Sequence, residues 1–587
     1  MELMVVTICP LEQCAVSFYS VNLQGKIMTK KKTAKPKAGA YSMREVNKSI
    51  KDVPKSIQSY IHDLEEQISH MTEIGLALSK EKDMDVLLEM ILLEAKRIAN
   101  SDGGTLYMKT DDNRLAFKIM MTDSLDFHMG GTSGVDIPFY PIKLYLDDGK
   151  PNNNMIAAYV GLTGETVNIP DAYEAEGFDF SGTRAFDEKT GYRSKSFLTV
   201  PLRDHEDEII GVLQLLNAQD RKTGDVIAFS QKVQDLVEAL SSQAAVAITN
   251  KNLIKDLEDL FESFIQMIAA AIDAKSKYTG GHCQRIPLLT EAIGKAVNEC
   301  KDGPLADVYF DEDSMRELMI SAWLHDTGKV ATPVHVVDKS TKLETILDRV
   351  HLVNTRFEII KRDEEIKFLK KQLKVAKEGK TDEVKELRKK HRANLKQIDD
   401  DKDFINTVNV GGEFLSPDKQ ERVRDVAKRK WKDGKELKPF LSDEEVYNLS
   451  ISRGTLTAED RKIINDHTVH TINMLEKLPW PNKLKNVPLY AGAHHEKPDG
   501  TGYPKGLSGQ ELPIQPRIVA LADVFEALTA KDRPYKDGKT VSDTLRIMGF
   551  MKNDSHIDPF LFELFLKERV WEPYSKEYLD DYQLDVE

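Results

Sequence analysis

"SAWLHDTGKVATP", Ser321 to Pro333, is an apolar helical run that ends on a histidine and an aspartate. An imidazole and a carboxylate side by side, His325 and Asp326, can both ligate a metal. The two carboxylate oxygens also let Asp326 bridge two ions. Lys329 follows one turn on, and it shares the face of His325 and Asp326 if the helix persists. An ammonium at that place suits a phosphate oxygen.

A second stretch reads with it. "AHHEKPDGTGYPKGL", Ala493 to Leu507, sets His494 and His495 at the end of a helix-like run and then turns to glycine and proline. Consecutive helical side chains point about 100° apart, so neighbouring histidines rarely face one ion together. Two neighbouring ions are the economical reason for the doublet. The glycine-rich loop behind it lets backbone come close to a ligand. Nine of the 14 histidines fall between His282 and His495. Single buried histidines are usually core residues, the expectation for His128, His205, His335, His351, His391 and His470. His470 follows His467 by three residues and is a candidate to support it. For Glu496 the expectation is orientation of a histidine, and for Asp499 a turn.

"HDTGK" followed by "HHEKPDGTGYPKGL" resembles the HD-GYP family of metal-dependent phosphohydrolases. Other motifs fall in the same order. "AAAIDAKSKYTGGHCQRI" resembles the family's opening helix with its first metal histidine, His282. "GTLTAEDRKIINDHTVHTINML" resembles the helix carrying His467. "RIVALADVFEALTAKDRPYK" resembles the aspartate helix, with Asp523. The resemblance implies a helical bundle around a metal centre that hydrolyses cyclic di-GMP to pGpG or GMP. The ligands it implies are His282, His325, Asp326, His467, His494, His495 and Asp523, with Asp326 bridging. Members with a third metal carry a glutamate where Tyr278 stands here, so two divalent ions are expected. Iron or manganese follows from the family, and the mixed ligand set is also compatible with zinc. Asp326 and Lys329 are the catalytic candidates. Gly502, Tyr503 and Pro504 are expected to shape the substrate side, with Arg533 and Lys536 contacting substrate. Hydrolysis of another cyclic dinucleotide, a cyclic GMP-AMP, is the alternative, and a catalytically silent metal-bound sensor or scaffold is a third.

Residues 71–250 read as an α/β unit. "DVLLEMILLEAKRIAN" is helical; "GGTLYMK", "RLAFKIMM" and "NMIAAYVGLTGETVNI" look strand-like. "SKSFLTVPLRDHEDEIIGVLQLLNA" reads as a hairpin. "FDEKTGYRSKSFLTVPL" and "IIGVLQLLN" carry a resemblance to GAF domains, small-ligand sensors with a central antiparallel sheet. "FDEKTGYRSKSFL" also resembles the segment closing the ligand pocket in members that bind cyclic nucleotides. An unidentified small ligand and a purely structural dimeriser are the two roles this implies.

Ile57, Ile61, Leu64, Ile68 and Met71 step by four and three, a short seam on an N-terminal helix at 51–70. Leu253, Leu257, Leu260, Phe264 and Met267 repeat the pattern around a helical linker at 251–262. Two such helices side by side predict a parallel homodimer. The HD-GYP unit is expected at 263–571, with a tail at 572–587. A charged insertion interrupts it at about 350–450, where 46 of the 100 residues from 351 to 450 are charged. Apolar stripes at Ile366, Leu369 and Leu373, and at Val384, Leu387, His391, Leu395 and Ile398, predict an antiparallel helical hairpin. The whole is multidomain: an α/β sensor, a long helical linker and an all-α phosphohydrolase unit carrying this insertion.

The net charge of −14 argues against a nucleic-acid polymer as partner, which needs basic faces. No window approaches the ~18 apolar residues of a membrane span. Four cysteines in 587 residues suit a reducing, cytoplasmic compartment. Residues 1–50, lysine-rich from Lys26, are expected to be flexible.

Overall fold

The computed structural model describes residues 55–275, 280–412, 414–531 and 538–586. The N-terminal segment at 1–50, Tyr278, and the substrate-contact candidates Arg533 and Lys536 lie outside them. The chain divides into two compact units, 1–254 and 255–587.

In the first unit an antiparallel sheet runs in the order β3-β2-β1-β7-β6-β5. The central strands are β1 (Ser101–Lys109), β2 (Arg114–Thr122), β6 (Phe197–Arg203) and β7 (Ile209–Gln219). Short strands β3 (Phe127–Gly130) and β5 (Val167–Ile169) close its ends, and β4 (Ile142–Lys143) and β8 (Val226–Ile227) attach to β2 and β7. Side-chain alternation gives the sheet two apolar faces. Leu106, Leu198, Val200, Leu213 and Leu215 point to one face, where helix Met84–Ala99 and the stretch Leu240 to Ile248 cover them. Tyr107, Leu115, Phe197 and Val212 point to the other, against helix Ile156–Thr163. The predicted β6–β7 hairpin is present.

Two readings need correcting here. "NMIAAYVGLTGETVNI" is mostly helix, Ile156–Thr163, and only Val167–Ile169 is strand. Its apolar run is buried around most of a short helix, which Gly164 ends in a left-handed conformation. The N-terminal helix does not stop at 70. It spans Lys55–Lys80, because Ile74 and Leu78 are anchored in the sheet's core.

The second unit is helical. Helices His282–Glu299, Glu312–Leu324 and Ile514–Thr529 share a core around Ile286, Leu289, Leu318, Leu521 and Phe525. The end of helix Gln231–Lys275 joins through Ile265 and Ile272. The insertion keeps its own core, with Val353, Phe357, Ile398, Ile405, Val423 and Phe440. It is a hairpin only over Val350–Lys377 and Thr381–Val410. A helix at Pro417–Ala427, a two-stranded ribbon and a helix at Asp443–Leu449 fill the remainder.

The first predicted stripe is also on the wrong face. Ile366, Leu369 and Leu373 are 48%, 53% and 60% exposed. Beyond the apolar core at its base, the outer part of the hairpin is held by a mostly polar seam: Lys361 pairs with Asp399 at 2.7 Å, Asn394 donates to Glu364, and Phe368 stacks on His391 with centroids 4.3 Å apart. Among the described residues no helix is long and apolar enough to cross a membrane.

Candidate metal centre

The site begins where helix Glu312–Leu324 ends. His325 is its C-cap residue, and Asp326 opens a short 3-10 turn, Thr327–Ala331. That turn lies directly on helix Ala458–Leu475. A β-carbon on Gly328 would sit 1.9 Å from the His467 carbonyl oxygen, so only glycine allows this approach. Thr471 stitches the contact. Its hydroxyl accepts the Gly328 N–H at 2.8 Å and donates to the His325 carbonyl at 3.1 Å.

Asp326 is thereby buried among imidazoles. Its Oδ2 is 3.4 Å from His282 Nε2 and 3.3 Å from His325 Nε2; its Oδ1 is 3.3 Å from His467 Nε2. Asp523 Oδ1 lies 3.4 Å from His282 Nε2. His494 and His495 complete the other side, with ring centroids 5.7 and 5.2 Å from that of His467. The seven predicted ligands are thus brought together in space. Three overlapping groupings emerge, His282–His325–Asp523, His467–His494–His495 and His325–Asp326–His494; the last joins the other two, and Asp326 presents one oxygen toward each of them.

The donor set fits metal ions. Nε2 of His282, His325, His467 and His494 are all buried without a hydrogen-bond partner, which is costly unless something else occupies them. The other ring nitrogens are fixed. Nδ1 of His325, His467 and His494 meets the carbonyls of Ala322, Ile464 and Ala491 at 2.6–2.7 Å, leaving Nε2 to point inward. Burial, reinforced by His495, His325 and His467, holds the His494 pKa far below the usual imidazole range. Burial pushes His495 down to about 4 and also lowers His467. Neutral imidazoles of this kind keep a lone pair for a cation. Burial opposes charge on Asp326, but Lys329 and His325 outweigh it and hold the carboxyl well below its ordinary range.

Lys329 Nζ is 2.5 Å from Asp326 Oδ2, so its ammonium faces the centre. Tyr503 lies against His495, with centroids 4.9 Å apart. Gly502 is fixed by the packing of its own loop. Its α-carbon packs on backbone of its own loop, and a β-carbon there would lie 2.4 Å from Glu496 Cα. Glu496 does not orient a histidine: it accepts the N–H groups of Lys505, Gly506 and Leu507 and ties the loop shut. Asp499 accepts from Thr501 and makes the turn. His470 is exposed and plays no part, and none of the six histidines set aside as core residues is buried.

Two contributors had not been singled out. Glu526 meets His282 Nδ1 at 2.5 Å and is held in turn by Arg285, whose Nε lies 2.8 Å from its Oε1. Burial opposes its charge, but His282 and Arg285 outweigh that and bring its pKa to about 2. The available signal was its place three residues after Asp523 on one helix, which puts both acids on one face. Glu526→Gln should weaken metal affinity roughly 10–100-fold while leaving the fold intact. Metal titration checks this, and unchanged affinity would remove Glu526 from the site. Lys275 is the other. Its Nζ donates to the carbonyls of Lys329 and Thr332 at 2.8 and 2.7 Å, and to that of Val330, pinning the end of the 3-10 turn.

Comparison with known proteins agrees with this layout. Residues 83–248 match the GAF domain model, and residues 442–561 match the HD domain model. The chain therefore carries a GAF domain followed by an HD domain. The HD match starts after His282, His325 and Asp326, which the insertion separates from it in sequence and the fold restores to it. Among relatives, 3'3'-cGAMP-specific phosphodiesterase 3 of Vibrio cholerae is 38% identical over 19% of this chain and 24% of its own length. 3'3'-cGAMP-specific phosphodiesterase 2 of the same organism is 38% identical over 21% and 22%. Cyclic di-GMP phosphodiesterase of Thermotoga maritima is 34% identical over 22% and 34%. The chain spans about a third or less of the length of each of these relatives.

Proposed function

We propose that this chain is a metal-dependent phosphodiesterase of the HD-GYP type that hydrolyses cyclic di-GMP to pGpG or GMP, under the control of its GAF domain. One observation carries the reading: Asp326 turns an oxygen to each of two buried imidazole clusters. His282, His325 and Asp523 would hold one divalent ion and His467, His494 and His495 the other, iron or manganese fitting the set and zinc compatible with it. Ions so held supply an activated water and neutralise charge developing on a phosphate.

The chain's own residues do the rest. Lys329 places an ammonium at the rim, where it would meet a phosphate oxygen. Tyr503 braces His495 and offers a ring edge to a guanine, with Gly502 and Pro504 holding it in place. Arg533 and Lys536 remain proposed substrate contacts. Helix Gln231–Lys275 carries Leu253, Leu257, Leu260, Phe264 and Met267 between 47% and 64% exposed, the unburied seam that a parallel homodimer would cover.

A second substrate has its own support. Two of the three relatives above are named for 3'3'-cGAMP. The deciding experiment uses the intact chain loaded anaerobically with iron or manganese and assays both dinucleotides. Cyclic di-GMP should be cleaved faster than 3'3'-cGAMP, and His325→Ala should abolish both activities. The reverse preference would establish the second substrate. Equal, slow turnover by wild type and His325→Ala would leave only a silent scaffold.

A further inference from the structure

The GAF domain encloses a cavity of about 520 Å³ between its sheet and the start of helix Ser181–Thr190. The volume is that of a small-molecule pocket. Its walls are aromatic. Tyr107 pairs with Phe117 at 4.8 Å, Phe117 with Phe139 at 5.6 Å, and Phe180 with Phe197 at 5.7 Å, measured between ring centroids. Among the described residues lining it there is no lysine, arginine or histidine; the one charged group is Asp179.

Several groups that would be expected to receive a phosphate are engaged elsewhere. Arg184 and Arg193, the arginines nearest in sequence, lie over the Tyr173 ring at 5.5 and 4.4 Å and do not line the cavity. The start of helix Ser181–Thr190 does reach the cavity, through Ser181, Gly182 and Thr183. But Asp179 already accepts the Ser181 N–H at 2.8 Å, so a carboxylate sits where an anion would otherwise bind. The floor's polar groups are satisfied internally. Tyr107 donates to Gln214, Gln214 donates to Thr199, and Tyr192 donates to Asp102. What is left to a ligand is chiefly stacking area, with the Asp179 carboxylate and the Thr183 hydroxyl at the edge.

From this geometry we infer that the GAF cavity takes an uncharged, planar heteroaromatic molecule and excludes cyclic nucleotides. The ring system lies between Phe117, Phe139 and Phe180, and a ring N–H faces Asp179. Desolvating a phosphodiester beside Asp179, with no cation to receive it, is unfavourable. The segment "FDEKTGYRSKSFL" thus closes a pocket, through Phe186, Tyr192 and Ser194, but one of opposite electrostatic character to a cyclic-nucleotide site. The inference is independent of the hydrolytic reading, since it concerns the other unit.

The intact chain can be titrated with three uncharged planar probes, lumichrome, caffeine and guanine, and with cyclic GMP and cyclic AMP. At least one uncharged probe should bind in the micromolar range, and the cyclic nucleotides should fail to displace it at about 1 mM. Phe139 is 43% exposed, so Phe139→Ala should keep the fold and weaken the bound probe about tenfold. Asp179→Lys should lose the probe and begin to admit cyclic GMP. Displacement by a cyclic nucleotide in a Phe139-dependent manner would overturn the inference, as would the absence of binding by all three uncharged probes.

Discussion

Asp326→Asn should empty both halves of the centre and lower turnover by on the order of 10³ or more, the equivalent of several kcal/mol of lost charge stabilisation. The reason lies in what the amide cannot do. Asp326 faces three imidazole nitrogens at 3.3–3.4 Å and the Lys329 ammonium at 2.5 Å. An amide has one acceptor oxygen, and its NH₂ would point at either an ion or an ammonium. The variant should also be less stable, because Lys329 loses its partner. Removing one member of a buried pair costs up to about 3–5 kcal/mol, and less here because the Lys329 side chain is 26% exposed. Asp326→Asn with Lys329→Met separates the effects. The double variant should regain melting temperature without regaining metal. Elemental analysis alongside calorimetry reads both. Metal retained in full by Asp326→Asn would mean that Asp326 does not bridge.

Much of this centre was readable before any fold was known, because its chemistry is local. Imidazoles and carboxylates announce themselves by residue type, and the His325-Asp326 and His494-His495 doublets put two ligands in one place. Convergence of those pieces across the insertion was not readable from periodicity. It depends on helix packing, above all on the contact at Gly328. The sheet domain divides in the same way. Its hairpin was legible because two β-rich runs flank a polar turn, whereas Ile156–Thr163 was misread because a short apolar run has no decisive period. The insertion was misread for a related reason. Its first helix presents both an apolar and a charged stripe, and spacing alone does not say which one meets the partner. Lys361, Glu364 and Phe368 do so through Asp399, Asn394 and His391, leaving Ile366, Leu369 and Leu373 outside. Glu526 escaped notice because an acid that orients a ligand looks, in sequence, like any other surface acid.

Gly328→Ala should uncouple the two halves of the centre, although the side chain at 328 would touch no ligand atom. The added methyl would sit 1.9 Å from the His467 carbonyl oxygen and 2.6 Å from the Thr471 nitrogen. Both are backbone atoms of helix Ala458–Leu475, so no rotamer change relieves the clash; the turn and the helix must move apart. Overpacking of this kind costs about 1–3 kcal/mol, which lowers the melting temperature by roughly 2–4 °C for each kcal/mol in a unit of this size. Separation of the two elements carries His467 away from Asp326, now 3.3 Å distant, while His282 and His325 keep their own supports. The expected result is therefore asymmetric: one ion held almost as tightly as in wild type, the other weakened at least tenfold, and turnover lost with the weaker one. Thr471→Val is the matched control, since it removes the hydroxyl joining Gly328 to His325 without forcing the elements apart. It should lower stability by about 1 kcal/mol and leave both ions in place. If Gly328→Ala binds two ions with wild-type affinity, or loses both together, the close approach of turn and helix is not what registers the two clusters.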